Sequence, residues 1–274
     1  MPRREIGCLM PLVALSCFCL GSWLVAEVAQ KEIEQRVLGC SVQVAVLEGM
    51  AGALSEWRTA GSGTVFRTPK GVFILTAGHV IKNAKEEVDE HPQPEEEVSQ
   101  PKKRTVFHDV TVILLKEKGG RVVSELRLYC RVIKFSPEEE EGGNDVAVLQ
   151  PYDEEAREIL RYGALPLPPD KAPYVGQPVY HCGSLFGELV NSVTFGVIAS
   201  TGRVYRNKSF LQLSTPASPG SSGGGVFVVS EGRCYYAGML TRGGGETINL
   251  AVPIRRLRET LAKWGMEFIF NEAQ

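Results

Sequence analysis

The chain has little net charge, few aromatic side chains and only four histidines among its 274 residues. Lys and Arg (30) nearly balance Asp and Glu (32), for a net charge of −2, and Phe, Trp and Tyr make up 8%. No basic stripe is interleaved with aromatics, so nucleic acid is not an expected partner, and nothing in the charge selects a strongly acidic substrate. No C-x-x-C spacing occurs among the seven cysteines, which removes the common zinc knuckles, and no metal site is expected. Strand-like segments do not alternate regularly with helical ones: a short polar helix is expected over 153–161, and in the second half no helical period appears until the C-terminus. A hydrophobic fraction of 43% is enough for one or two sizeable cores.

The N-terminal segment reads as an address. Arg3 and Arg4 precede an uncharged run from Ile6 to Ala26, the layout of a secretory signal or an uncleaved membrane anchor over residues 1–27. Positive charge ahead of the run predicts export of the remaining chain, to a periplasmic, extracellular or membrane-anchored outward location. Cys8, Cys17 and Cys19 fall in this segment. Cys40, Cys130, Cys182 and Cys234 remain, as up to two disulfides with three pairings open or as ordinary buried thiols.

Beyond Lys31 the pattern is one of short apolar strands separated by turns. The stretch Pro219-Gly220-Ser221-Ser222-Gly223-Gly224-Gly225 runs straight into the β-branched Val226-Phe227-Val228-Val229, a tight loop feeding a buried strand. Glycines around a serine let backbone N–H groups approach a bound group. Upstream, Phe73-Ile74-Leu75-Thr76-Ala77-Gly78-His79 sets a histidine directly after an apolar strand. Gly143-Asn144-Asp145-Val146-Ala147-Val148-Leu149 sets one aspartate at the head of a strand with no other charge in it. A buried carboxylate needs a partner. A serine needs a base, and the base a carboxylate, to act as a nucleophile near neutral pH.

The order His79, Asp145, Ser222, with T-A-G-H, N-D-x-A-x-L and G-x-S-G-G around the three residues, resembles the trypsin-like serine peptidases, most closely the Htr/Deg type. The resemblance spans residues 40–260. It implies an all-β fold of two six-stranded antiparallel barrels, the first over 40–150 and the second over 174–253. The proline-rich link from Leu165 to Pro173 joins them, and a C-terminal helix over 254–265 closes a peptidase domain of residues 31–274. That helix has its own signal, since Ile254, Leu257, Leu261 and Trp264 are spaced by three and four residues. By the same resemblance Ser222 is the nucleophile, with Ser221 the variable position before it. His79 is the base, Asp145 its orienting acid, and the N–H groups of Gly220 and Ser222 form the oxyanion hole. No cofactor is implied. The substrates are proteins or peptides, and a homo-oligomer such as a trimer is left open.

The chain departs from the Htr/Deg pattern in three places. Gly225 stands where proline is common, Leu213-Ser214-Thr215-Pro216-Ala217-Ser218 lacks the usual Asp-Ala-Ala, and no PDZ module is expected after Gln274. With no acidic residue between Leu211 and Pro219, a preference for Lys or Arg is not expected, and a small or medium apolar residue is. The alternative to an endopeptidase is a latent two-barrel protein-binding module. Residues 82–104, dense in Glu and broken by Pro92 and Pro94, read as a solvated insertion, and Gly61-Ser62-Gly63 reads as a place where another backbone or a ligand passes close.

Overall fold

A computed structural model describes residues 31–48, 56–89, 103–108, 110–118, 121–137, 143–243 and 248–271. The expected signal or anchor over 1–27, and with it the run 6–26, lies outside them.

Two closed antiparallel barrels of six strands make up the molecule, as the resemblance implies. The first comprises β1 (Ser41–Glu48), β2 (Glu56–Thr68), β3 (Gly71–Thr76), β6 (Val110–Lys118), β7 (Arg121–Ser136) and β8 (Val146–Pro151), in the order β1-β2-β3-β8-β7-β6, with β6 returning to β1. The second comprises β9 (Pro178–Leu185), β10 (Leu189–Tyr205), β11 (Lys208–Leu213), β12 (Gly225–Ser230), β13 (Arg233–Gly243) and β14 (Asn249–Pro253), in the order β10-β11-β14-β13-β12-β9, with β10 closing on β9. Val72-Phe73-Ile74-Leu75 and Val146-Ala147-Val148-Leu149 are buried throughout rather than alternately. A continuous β-branched and apolar run of that kind suits a strand with protein on both faces.

The seam between the barrels positions the site. Phe66 of β2, Tyr236 of β13 and Phe270 meet edge-on, Phe66 lying 5.0 Å from Tyr236 and 5.1 Å from Phe270 between ring centroids. Arrangements of this type add to the area they bury. Residues 164–167 run through the same seam as a splint: Ala164 N–H donates to Val65 of β2, Leu167 N–H donates to the Tyr236 carbonyl, and Tyr236 N–H donates to Leu165. Helix α1 is one short turn, Ala156–Ile159, where the sequence suggests a longer helix over 153–161. Helix α2, Ile254–Lys263, buries Ile254, Leu257, Thr260 and Leu261 against the second barrel, the stripe its spacing predicts.

The charged segment over 82–104 is exposed as expected, with Glu86, Glu87 and Arg104 on the surface, and it is regular at both ends. Gly78–Ala84 forms a 3-10 segment, and Lys85–Asp89 (β4) pairs antiparallel with Lys103–Phe107 (β5) as a separate two-stranded ribbon. Glu86 lies in register opposite Val106 and Glu87 opposite Thr105, and the Glu86 carboxylate meets His108 just beyond the end of β5. Cross-strand complementarity of this kind supplies pairing energy that hydropathy does not display. Residues 90–102 lie outside the described residues.

Candidate active site

The strand-to-turn segments singled out in the sequence converge at the seam. Asp145 heads β8 in a left-handed backbone conformation, φ 56°, and is 4% exposed. Its carboxylate collects three donors. Oδ1 accepts the His79 backbone N–H at 2.8 Å, Oδ2 accepts from His79 Nδ1 at 2.9 Å, and Thr241 Oγ1 donates to Oδ2. Burial by itself raises the Asp145 pKa; the hydrogen bond and charge of His79, the Thr241 hydroxyl and the His79 N–H outweigh it and hold the group below the usual carboxylate value. The side chain of His79 is 42% exposed and its described hydrogen bonds all run to Asp145, so Nε2 faces outward without a partner. The pairing fixes the tautomer with the proton on Nδ1 and the lone pair on Nε2.

The serine loop is gripped from both barrels. Gly223 N–H donates to the Leu240 carbonyl at 2.8 Å and Leu240 N–H to the Gly224 carbonyl at 2.9 Å, which ties the loop to β13 one residue before Thr241. From the first barrel, Ser62 N–H donates to the Ser222 carbonyl at 2.8 Å. The Ser62 hydroxyl donates to the Gly220 carbonyl at 2.7 Å and accepts from Ser184 N–H at 2.8 Å. Gly61-Ser62-Gly63 is therefore where another backbone passes close. Gly223 has φ +86°, and a Cβ there would lie 2.1 Å from the Ser62 carbonyl oxygen and 3.0 Å from the Ala77 nitrogen, in the turn leading to His79. Only glycine fits that contact.

Of the two adjacent serines, Ser221 is 1% exposed and its Oγ accepts from Ser218 N–H at 3.2 Å, whereas Ser222 is half-buried. Around them the N–H groups of Ser221, Gly223 and Gly224 are committed to carbonyls. Those of Gly220, at φ +91°, and Ser222 donate to no acceptor among the described residues. Two unpaired donors beside a hydroxyl, in a loop packed against the turn that leads to an imidazole oriented by a buried carboxylate, supply the parts needed to hold a developing negative oxygen and accept a proton.

A family model described as "Trypsin-like peptidase domain" matches residues 61–235, more than half the chain. The chain belongs to the trypsin-like serine peptidases. Among solved structures, the crystal structure of the serine endoprotease from Yersinia pestis is similar to this peptidase with a TM-score of 0.54 at 19% identity, over 90% of this chain and 68% of that one. A likeness at that identity speaks for the fold. A comparison with curated proteins gives no match.

Several residues of this peptidase's site were not singled out from the sequence. Thr241 sits in a strand that no motif marks, and Ser62 within a motif read for its glycines. Asn144 donates through Nδ2 to Thr260 Oγ1 of α2 at 2.9 Å, and Lys208 donates to the Gly143 carbonyl, so the turn bearing Asp145 is braced from the second barrel and the C-terminal helix. His181, buried in β9, places Nδ1 3.1 Å from the Gly225 carbonyl at the root of the serine loop. The described cysteines, Cys40, Cys130, Cys182 and Cys234, are free and buried. No group of His, Cys, Asp or Glu among the described residues could hold a metal ion.

Proposed function

We propose that this serine peptidase is an exported endopeptidase of the Htr/Deg type that cleaves peptide bonds in proteins through Ser222, His79 and Asp145. The observation that carries the reading is the buried Asp145 carboxylate closing on His79 Nδ1 at 2.9 Å. Ser222 Oγ attacks the scissile carbonyl carbon while His79 Nε2 takes its proton. The resulting oxyanion rests on the Gly220 and Ser222 N–H groups, donors whose single loss typically costs about 3 kcal/mol in a transition state. The C–N bond then breaks as His79 returns the proton to the amine, leaving an ester on Ser222. Water, deprotonated by His79, releases the acid and restores the hydroxyl. Asp145 stays ionised throughout and stabilises the imidazolium.

The Htr/Deg assignment is supported by T-A-G-H, N-D-x-A-x-L and G-x-S-G-G as they stand in this chain. Export is supported by Arg3 and Arg4 ahead of the uncharged run 6–26. A second reading, a latent binding module, draws on the lack of a hydrogen bond between His79 and Ser222. Such bonds are often long without substrate and tighten when it binds. Labelling with a fluorophosphonate probe, wild type beside Ser222→Ala, decides between them. Labelling of the wild type alone supports the peptidase, and labelling of neither supports the latent module.

A further inference from the structure

The β4–β5 ribbon leaves one strand edge open. His108 N–H donates to the Ala84 carbonyl at 2.7 Å, just where the two strands meet. Bonded and non-bonded pairs alternate along an antiparallel ladder. The bonds therefore fall at Glu86–Val106 and Val88–Arg104, and the N–H and C=O groups of Thr105 and Phe107 turn to the other edge. No strand pairs with that edge among the described residues. A row of unpaired backbone groups is a template for another polypeptide.

A groove of about 390 Å³ runs along the same edge. Residues 104–108 all line it and none of β4 does, while Arg131 of β7 and the exposed Tyr152 line it from the barrel. Phe107 packs edge-on against Phe135 of β7, 5.2 Å between ring centroids, which pins β5 to the barrel beside the groove. Two of the groove's cations are uncommitted. The Arg104 and Arg131 guanidinium groups have no hydrogen bond or ion pair among the described residues, and Arg131 rests 5.9 Å from the Tyr152 ring. The third basic side chain, His108, is taken up by Glu86. No carboxylate lines the groove; Asp153 and Glu154 line the adjoining recess, where the basic stretch ends.

We propose that this groove takes up an extended, acidic segment of a partner protein, added to β5 as a third strand of the ribbon. Its backbone pairs with the N–H and C=O groups of Thr105 and Phe107. Its Asp or Glu side chains meet Arg104 and Arg131, whose planar forks suit a carboxylate. The open strand edge calls for a polypeptide rather than a nucleic acid or free phosphate, and the two unpaired guanidinium groups call for a negative one. Strand β4 continues directly from Gly78–Ala84, the segment bearing His79, so the docked protein is held beside the candidate active site.

Docking does not require cleavage, so it is tested on the full chain carrying Ser222→Ala, where failure of the peptidase reading leaves the result intact. Fluorescence anisotropy follows a labelled peptide of alternating Glu and Val. Its counterparts are a Lys–Val peptide and the Glu–Val peptide N-methylated at every amide, which keeps the charge and loses every N–H. The Glu–Val peptide should bind, and both counterparts should bind at least about tenfold more weakly. Arg131→Gln and Arg104→Gln should each weaken binding about tenfold. Thr105→Pro, which removes an outward N–H and leaves the pairing with β4, should do the same. The arginine variants alter exposed, unpaired side chains and should keep the thermal midpoint, so they decide the matter where the proline variant does not fold. No binding of the Glu–Val peptide overturns the proposal, as does binding that the arginine variants leave unchanged. Equal binding of the N-methylated peptide makes the groove an anion site without strand pairing, and overturns it too.

Discussion

Replacing Thr241 by valine removes one hydroxyl from Asp145 at nearly constant volume, and its consequence can be worked through in some detail. Thr241 is 5% and Asp145 4% exposed, so solvent cannot supply a substitute and little screening applies. A hydrogen bond to a charged group is worth about 1.5–3 kcal/mol, and about 1.4 kcal/mol is a factor of ten, so kcat/KM should fall by about ten- to a hundredfold where that bond forms its full strength only as His79 becomes an imidazolium in the transition state. The pH dependence carries an independent sign. The folded pKa of Asp145 is depressed, so the stabilisation it gives is present above the unfolded carboxylate value, near ~3.9, and is lost as pH falls through the folded value. Removing a donor to the ionised form raises the folded pKa, so the acid limb of the stability–pH profile, read from urea midpoints, should move to higher pH. Thr241→Ser should restore both rate and limb. A valine variant within about threefold of wild type, with an unmoved acid limb, would refute the assignment of Thr241 as the residue holding Asp145.

Three further outcomes are expected. Gly223→Ala forces a left-handed alanine, at about 1–2 kcal/mol, and drives a Cβ against the Ser62 carbonyl, so Tm in calorimetry should drop by at least ~4 °C with loss of probe labelling; an unchanged Tm with full labelling counts against the inter-barrel grip. Burial pushes the His181 pKa down to about 4, and the neutral form is therefore the folded one. Its contribution is present above the unfolded pKa of ~6.5 and is lost as pH falls towards 4, on the order of 3 kcal/mol; urea midpoints should show this loss, and His181→Gln should abolish it. The Cys130 and Cys182 thiols are pushed up to about 12 by burial, so at pH 8 they should resist iodoacetamide until denaturant is added, and rapid native alkylation would contradict their placement.

What could be read from the sequence was whatever each local segment carries by itself. His79, Asp145 and Ser222 each stand at the end or head of an apolar run with small residues beside them, and α2 shows its stripe directly. Thr241 and Ser62 could not be found that way, because their partners are fixed by tertiary register rather than by neighbours in sequence. The β4–β5 ribbon was hidden by its charge, which hydropathy scores as solvent-seeking even when acidic and basic strands pair. Strand β10 runs on to Tyr205, past the Ser200 where its apolar pattern ends, because with β11 it extends as a ribbon bearing Arg203 and Arg206.

The Ser62 hydroxyl, which bridges Gly220 and Ser184, also imposes an order of events on biosynthesis. Ser62 and Gly220 are 158 residues apart, so a ribosome adding roughly 5–20 residues per second makes the second roughly 8–30 s after the first. Until then the first barrel holds an imidazole and a carboxylate with no hydroxyl to activate. On the proposed mechanism the nascent chain thus stays without peptidase activity while its own unfolded second half, the nearest and most concentrated substrate, is still emerging.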